Sequence, residues 1–378
     1  MRVGINAFAL RGQYAGIGVY LKNMLLALQR IDRRNEYFLY VPGPVNTIAI
    51  PDSRWRMCVV RGPANVSQTV WMQVSAKSRL LRDKIDLFWS PSAIVPLSAP
   101  RHVRVISTVL DLTWKYYPRT LAWDNRIILP FLFPRSLEAA DRIITISETA
   151  AADLKKDFPS IAEKVSTVYL GPGSIPLSLL TQNRNDSDYL AQRFQLCGPY
   201  LLTVSSIEPR KNLGILFAAY AQLRKQKEHP VPSLVIVGKK GWKTRKIFEA
   251  YRSLNLGQKD VRFTGYVSEN DLAVLYRNAA VFVFVSLYEG FGLTPLEAMA
   301  AGVPAVVSDI PVFREILSPA PLFVNPHVPQ DIALAVERIL GDLATASRLR
   351  QRGLERVAQF SWEKAAHQTL AVFETAMG

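Results

Sequence analysis

The sequence predicts an α/β fold built on parallel sheets and divided into two units. Three observations carry this. Strand-like and helix-like patterns alternate along the whole chain, the order typical of parallel α/β folds. The 378 residues suffice for two cores of ordinary size. The stretch from Ala280 to Ala301 reads as a buried strand (Ala280-Val-Phe-Val-Phe-Val285), a turn containing Gly290 and Gly292, and a helix stopped by Gly302 and Pro304. In such sheets, ligands gather where strands end and helices begin. Free amides at a helix N-terminus attract anions.

In chain order, residues 2–8 read as a strand. Gly16 and Gly18 stand at the start of a helix that runs to Leu28, where they would let a phosphate reach its amides. They also suit a tight turn, and Leu21 occupies the third position of a dinucleotide glycine pattern. Glu36–Val41, Asp86–Trp89, Val103–Val109, Arg142–Ile146 and Val165–Leu170 follow as strands. Residues 42–65 read as irregular or as short strands. Residues 66–81 have helical spacing with a basic end and suit a core-facing helix or a membrane surface. Residues 114–133 interleave aromatics with cations, which fits either core packing or an interfacial patch. Asp111 ends a strand, where it would meet an acceptor hydroxyl or cap the next turn.

Residues 1–173 are expected to form the first domain, 174–199 a polar linker, 200–360 the second domain, and 361–378 a last helix with Ser361 as its N-cap. The second domain opens with strand Tyr200–Ser205. Glu208-Pro-Arg-Lys-Asn212 and a helix follow, so Arg210 and Lys211 lie at a strand-to-helix junction. There a guanidinium fork and a point charge can neutralise a departing phosphate. Ser233–Gly238, Val261–Val267 and Pro304–Ser308 complete its strands. Glu289 reads as the end of the 280–285 strand. Thr294-Pro295-Leu296-Glu297 fits a capping box with Thr294 as N-cap.

Composition narrows the partners. With 49% hydrophobic and 20% charged residues, the chain is globular. Its start lacks the long apolar core of a signal peptide, and no run approaches a membrane span. Two cysteines and four histidines form no metal motif, and Asp186-Ser-Asp188 stands in the polar linker without a supporting ligand. Net charge is +15: 25 Lys and Arg against 15 Asp and Glu in residues 1–197, and 21 against 16 thereafter. That balance favours anionic partners, and the basic first half suits peripheral contact with an anionic membrane. No nucleic-acid-binding signature is present, so nucleic acid is not an expected partner.

Glu289-Gly-Phe-Gly-Leu-Thr-Pro-Leu-Glu297 within this strand-turn-helix setting resembles the E-x7-E signature of retaining glycosyltransferases of family 4. Glu208-Pro-Arg-Lys-Asn212 resembles one subgroup of that family. The resemblance implies the GT-B architecture, α/β with two Rossmann-like domains whose parallel sheets face across a cleft. It implies that Glu289 contacts the donor sugar and Glu297 the ribose. Gly290, Phe291, Gly292, Leu293 and Thr294 would lie along the sugar and diphosphate. Gly16 and Gly18 would face the donor phosphates, Tyr266 and Val267 would lie beside the base, and Gly238 joins the donor-binding set. Arg210 and Lys211 would stabilise the leaving diphosphate, with Arg210 replacing the arginine many relatives carry where Ser206 stands. Leu110 stands where the family often has a histidine, leaving Asp111.

The implied activity is retaining, metal-independent transfer of a hexose, mannose among the options. The donor is a nucleotide diphosphate sugar and no separate cofactor is expected. The acceptor is a saccharide or lipid-linked saccharide, in cell-surface polysaccharide or lipopolysaccharide synthesis. The location is cytoplasmic, at the inner membrane face. Glu289→Ala is expected to cut transfer with the fold intact. The alternatives are a GT-B epimerase or phosphorylase, an inactive sugar-nucleotide-binding module, and a dinucleotide oxidoreductase.

Overall fold

A computed structural model describes the chain except residues 12–15, 44, 46–47, 61–66, 122, 174, 183–185 and 227–230, and the side chains of 123–125 and 226. Ala15, part of the glycine-rich first loop, lies outside the described residues. The chain forms two compact units. One comprises Met1–Tyr116, Trp123–Gly171 and Phe360–Gly378, and the other Tyr117–Ala122 and Pro172–Gln359.

The first unit holds strands β1 (Arg2–Asn6), β2 (Glu36–Val41), β3 (Trp55–Val59), β4 (Leu87–Ser90), β5 (Arg104–Val109), β6 (Arg142–Thr145) and β7 (Val165–Thr167). They form a seven-stranded sheet in the order β3-β2-β1-β4-β5-β6-β7, and every pairing is parallel. Helices on both faces require strands that are apolar throughout, and β4 is buried at every position. Trp71, Met72, Leu80, Phe133 and Leu137 pack on one face with Phe38 and Phe88. The last helix, Trp362–Met377, is capped by Ser361, whose hydroxyl accepts the Lys364 amide at 3.1 Å. Its Phe373 ring packs against Trp89 with the ring centroids 5.6 Å apart and the planes tilted by 58°.

The second unit holds β8 (Tyr200–Val204), β9 (Ser233–Val237), β10 (Val261–Gly265), β11 (Val281–Phe284), β12 (Ala305–Ser308) and β13 (Leu322–Val324). The order is β10-β9-β8-β11-β12-β13, again all parallel. β11 is buried at all four positions, each such side chain being worth roughly 1.5–3 kcal/mol of transfer free energy. The strand order reverses between β8 and β11, the position where open α/β sheets hold ligands.

Two local expectations are corrected, for residues 68–82 and for Glu289. Within residues 174–199, the short helical stretch expected near 189–194 is the helix Ser187–Phe194, and Leu177–Leu180 is helical as well. Asp186 is held by Arg277 at 2.7 Å and Asn278 at 3.0 Å, and the Tyr189 hydroxyl donates to Asp271. These polar groups bond to the helix Glu269–Arg277 and its C-cap Asn278. Residues 68–82 form two helices, Gln68–Val74 and Ala76–Arg82, joined at Ser75. Glu289 does not end β11, which stops at Phe284. Among the described residues, no helix is long and apolar enough to cross a membrane.

Candidate functional site

The loops after β8 and β11, the two strands at the order reversal, bring Arg210, Lys211 and Glu289 together. After β8 the chain makes a tight turn over Pro209–Lys211, and Asn212 adopts a left-handed conformation (φ 58°) that opens the helix Leu213–Gln226. Asn212 Nδ2 donates to the Pro326 carbonyl at 2.6 Å, which anchors the turn. After β11, the Leu287 amide donates to the Arg210 carbonyl at 2.9 Å, fastening one loop to the other.

Glu289 Oε1 is the centre of the cluster. Lys211 Nζ lies 2.5 Å from it and Arg210 Nη1 2.9 Å, and the Ser286 hydroxyl donates to it at 2.6 Å. Arg210 also donates to the Tyr288 carbonyl at 2.6 Å and to Glu208 at 3.0 Å. The Lys211 ammonium stands 5.1 Å from the Phe284 ring centroid, within cation–π range. The side chains are sequestered: Lys211 is 11% exposed and Glu289 13%.

Burial opposes ionisation of Glu289, but the charges of Arg210 and Lys211 and the bonds from Lys211 and Ser286 outweigh it. They bring its pKa from 4.5 down to about 2. Burial also lowers the pKa of Lys211, which Glu289 partly offsets and Arg210 reinforces. Because the Glu289 pKa is lower in the folded chain, its ionisation stabilises the fold above its unfolded value, and that contribution disappears as pH falls toward 2. The span from 4.5 to about 2 corresponds to about 3 kcal/mol. The melting-temperature gap between the native chain and Glu289→Gln is therefore expected to be largest near neutral pH and to shrink below pH of about 4. A gap constant down to pH of about 3 would refute the assignment.

Directly after Glu289, Gly290 and Phe291 are buried, and Gly292 (φ 113°) begins the helix Leu293–Ala300. A side chain at Gly292 would be strained and would meet the Phe313 ring at 3.0 Å. This corrects the capping box. Gly292, not Thr294, is the N-cap, because its left-handed backbone starts the helix two residues early. Leu293 and Thr294 hold the first positions, where amides lack intrahelical acceptors. Glu297 is 4% exposed, and Tyr276 donates to its Oε2 at 2.8 Å. A methyl group on Gly173 would fall 1.6 Å from Glu297 Oε1, so the carboxylate packs against that backbone.

Gly238 follows β9 with φ 141°, and a Cβ there would lie 2.0 Å from the Ser205 carbonyl oxygen. Its glycine is thus required by the neighbouring strand end whether or not a donor binds. Tyr266 and Val267 follow β10 at the sheet edge. With Phe248, Tyr251, Arg262 and Phe263 they line an open cavity of about 550 Å³. Arg262 Nη1 donates to Gln195 Oε1 at 3.1 Å.

The remaining candidates belong to the first unit. Gly16 is the N-cap of the helix Ile17–Ile31, with Gly18 buried in its first turn. Asp111 Oδ1 accepts the Thr113 amide at 2.9 Å, so it caps the turn Thr113–Tyr116. Sequence reasoning overlooked Ser286, Tyr276, Gly173 and the pairing of Glu208. Only Glu208 carried a local signal, two residues before Arg210.

Two family models match the chain: "Glycosyltransferase Family 4" over residues 14–171 and "Glycosyl transferases group 1" over residues 192–356. The chain is 30% identical over 236 residues to the serotype-specific mannosyltransferase WbdA of Escherichia coli, covering 62% of this chain and 29% of WbdA. It therefore spans under a third of that relative's length. It is 29% identical over 299 residues to the O-antigen chain mannosyltransferase B of Escherichia coli, covering 78% of this chain and 76% of that protein. Among solved structures, it is similar to sucrose-phosphate synthase from Thermosynechococcus elongatus, with a TM-score of 0.80 at 23% identity over 99% of this chain and 98% of that one. The fold is GT-B.

Proposed function

We propose that this chain, which is of the glycosyltransferase family 4 type, transfers a hexose with retention from a nucleotide diphosphate sugar. The acceptor is a saccharide or lipid-linked saccharide of cell-surface polysaccharide synthesis, at the cytoplasmic membrane face. The observation that carries the reading is the Glu289–Arg210–Lys211 cluster at the β8/β11 order reversal, directly before a helix N-terminus. Mannose as the sugar rests on the names of the relatives.

Cleavage of the donor bond builds negative charge on the diphosphate and positive charge on the sugar. Lys211 and the amides of Leu293 and Thr294 are suited to the first. Lys211 has three N–H groups and Glu289 takes one, so it can bind a phosphate oxygen without leaving the carboxylate. Glu289 is the group offered to the sugar hydroxyls. Arg210, tied to Glu208, Tyr288 and Glu289, acts chiefly by positioning Glu289. The edge cavity beside Tyr266 suits the base, roughly 10 Å from β8 across two strand spacings. A ribose role for Glu297 carries a condition: Gly173 must yield, because the carboxylate is covered there. The departing phosphate takes the acceptor proton in the same-face reaction, and no metal is assigned.

The test is thermal stability with UDP, GDP, ADP, dTDP and NAD in parallel, followed by turnover of the matching sugar donor in EDTA. A nucleoside diphosphate at 100 times its Kd raises stability by about 2.7 kcal/mol. A shift with one nucleoside diphosphate, and nucleotide release only when acceptor is added, are expected. A shift with NAD alone, or nucleotide-dependent sugar epimerisation without acceptor, overturns the reading. Lys211→Ala is expected to weaken the diphosphate roughly tenfold or more while leaving nucleoside affinity nearly unchanged. Titration calorimetry with both ligands checks this, and equal weakening would remove Lys211 from the phosphate site.

A further inference from the structure

We infer that the loop after β9, residues 239–246, binds a negatively charged group of the acceptor, a phosphate or a sugar carboxylate, and that the Trp242 ring seats the adjoining sugar. The acceptor is then an anionic saccharide, an identity that rests on the transfer reading and goes beyond it.

Lys239-Lys-Gly-Trp-Lys-Thr-Arg-Lys246 holds five cations in eight positions and no acid. Residues 198–378 contain 21 Lys and Arg against 16 Asp and Glu, so without this loop the second half of the chain is balanced at 16 against 16. Lys239, Lys240, Lys243, Arg245 and Lys246 are all exposed. Among the described residues, Arg245 alone of the five has a carboxylate in ion-pair range, Glu249 at 2.8 Å. Arg245 and Lys246 also open the helix Arg245–Ser253, where the dipole opposes cations and no acid stands in the first turn. Like charges gathered in this way repel, a cost that a bound anion relieves.

The backbone fixes the loop beside the candidate site. The Ile207 amide donates to the Lys239 carbonyl at 3.0 Å, and the Gly241 amide donates to the Ile207 carbonyl at 3.1 Å. Ile207 directly precedes Glu208, the partner of Arg210. A side chain at Gly241 would meet that Ile207 carbonyl at 2.9 Å, so glycine permits the close approach. On its other side the loop holds residues 117–121, which belong to the second unit. The Trp242 indole N–H donates to the Thr120 carbonyl and the Lys243 ammonium to the Arg119 carbonyl. From the same segment the Tyr117 hydroxyl donates to the Leu287 carbonyl at 3.2 Å, and its ring centroid lies 5.6 Å from that of Tyr288, the residue before Glu289. A connected rim thus runs from the cationic loop to the Glu289 turn.

Two anion positions result. Lys211, 11% exposed and paired with Glu289, suits the donor diphosphate. The loop cations stand outside that cluster and suit a second anion. Trp242 is 40% exposed with its N–H engaged, so solvent reaches mainly ring carbon. A pyranose packs its C–H face on such a ring, which leaves its anionic substituent to the cations.

The experiment is titration calorimetry at low salt, with inorganic pyrophosphate and glucose 1-phosphate as probes. The full chain is first saturated with the nucleoside diphosphate that raises its melting temperature, which fills the Lys211 position. One further pyrophosphate per chain is expected, with affinity falling as salt rises. Lys239→Gln with Lys246→Gln should weaken it roughly tenfold or more. Arg348→Gln with Arg352→Gln, exposed cations of the helix Leu343–Val357, should leave it unchanged. Trp242→Ala should weaken glucose 1-phosphate but not pyrophosphate, and Trp242→Phe should restore it. Absence of a further pyrophosphate, equal loss in the Arg348/Arg352 variant, or a lysine variant that loses the nucleotide instead overturns the proposal. So does binding of phosphatidylglycerol vesicles through these lysines without pyrophosphate binding, which would assign them to a lipid headgroup. If no nucleotide binds, the transfer reading fails separately, and the difference between the two double variants on the chain alone still reads the loop.

Discussion

Glu289→Gln is expected to lower turnover by roughly 10²–10³-fold, with a smaller change in donor affinity. The amide keeps the shape of the carboxylate and an oxygen for Lys211. It loses the negative charge that a sugar gathering positive charge requires and that pairs with Arg210 and Lys211, whose contacts converge with that of Ser286 on Oε1. Glu289→Ala, expected from the sequence to leave the fold intact, is the less discriminating variant. Glu289 pairs with two sequestered cations, and deleting one member of such a cluster costs about 3–5 kcal/mol. The alanine variant confounds folding with chemistry, and glutamine separates them. Steady-state kinetics at saturating donor, alongside a melting curve, is the measurement. Turnover within a few-fold of native, in a folded Gln variant, would remove Glu289 from the reaction.

The second large effect is structural. Gly238→Ala is expected to destabilise the second unit by about 3–5 kcal/mol and to reduce the yield of folded protein. The added methyl would sit 2.0 Å from the Ser205 carbonyl oxygen, a backbone atom at the end of β8 that cannot rotate away. The φ of 141° adds strain for any L side chain. The Gly238 amide also donates to the Gly265 carbonyl at 2.9 Å, so relieving the clash would pull on the β10 end as well. Were Gly238 only a donor-binding residue, alanine would weaken nucleotide binding at unchanged stability. Denaturant unfolding compared with nucleotide titration distinguishes the two. An unchanged unfolding midpoint would show that the backbone accommodates the methyl group.

Much of the fold was legible locally. Runs such as Val281–Phe284 and Glu36–Val41 announce strands by being apolar and β-branched or aromatic, and the structure places strands there. Ser147 and Ser361 announce helix starts because a serine hydroxyl satisfies a free amide, and both do so. β3 and β13 were less legible. β13 has three residues and β3 is only partly buried, so neither presents a long apolar run. Thr294 misled because its spacing to Glu297 satisfies a capping pattern, while the left-handed backbone of Gly292 had already started the helix.

The chain by itself determined the succession of parallel strands, the glycine turn before Leu293, and the residue types available for binding an anion. These follow from hydrophobic periodicity and backbone freedom, properties each segment carries alone. Only the tertiary structure decided the partners: that Lys211 meets Glu289 across 78 positions of sequence, that Ser286 completes the cluster, and that Tyr276 and Gly173 cover Glu297. Those pairings exist because β8 and β11 become neighbours when the sheet order reverses. Strand adjacency is set by how whole sheets bury their faces, which no single segment records.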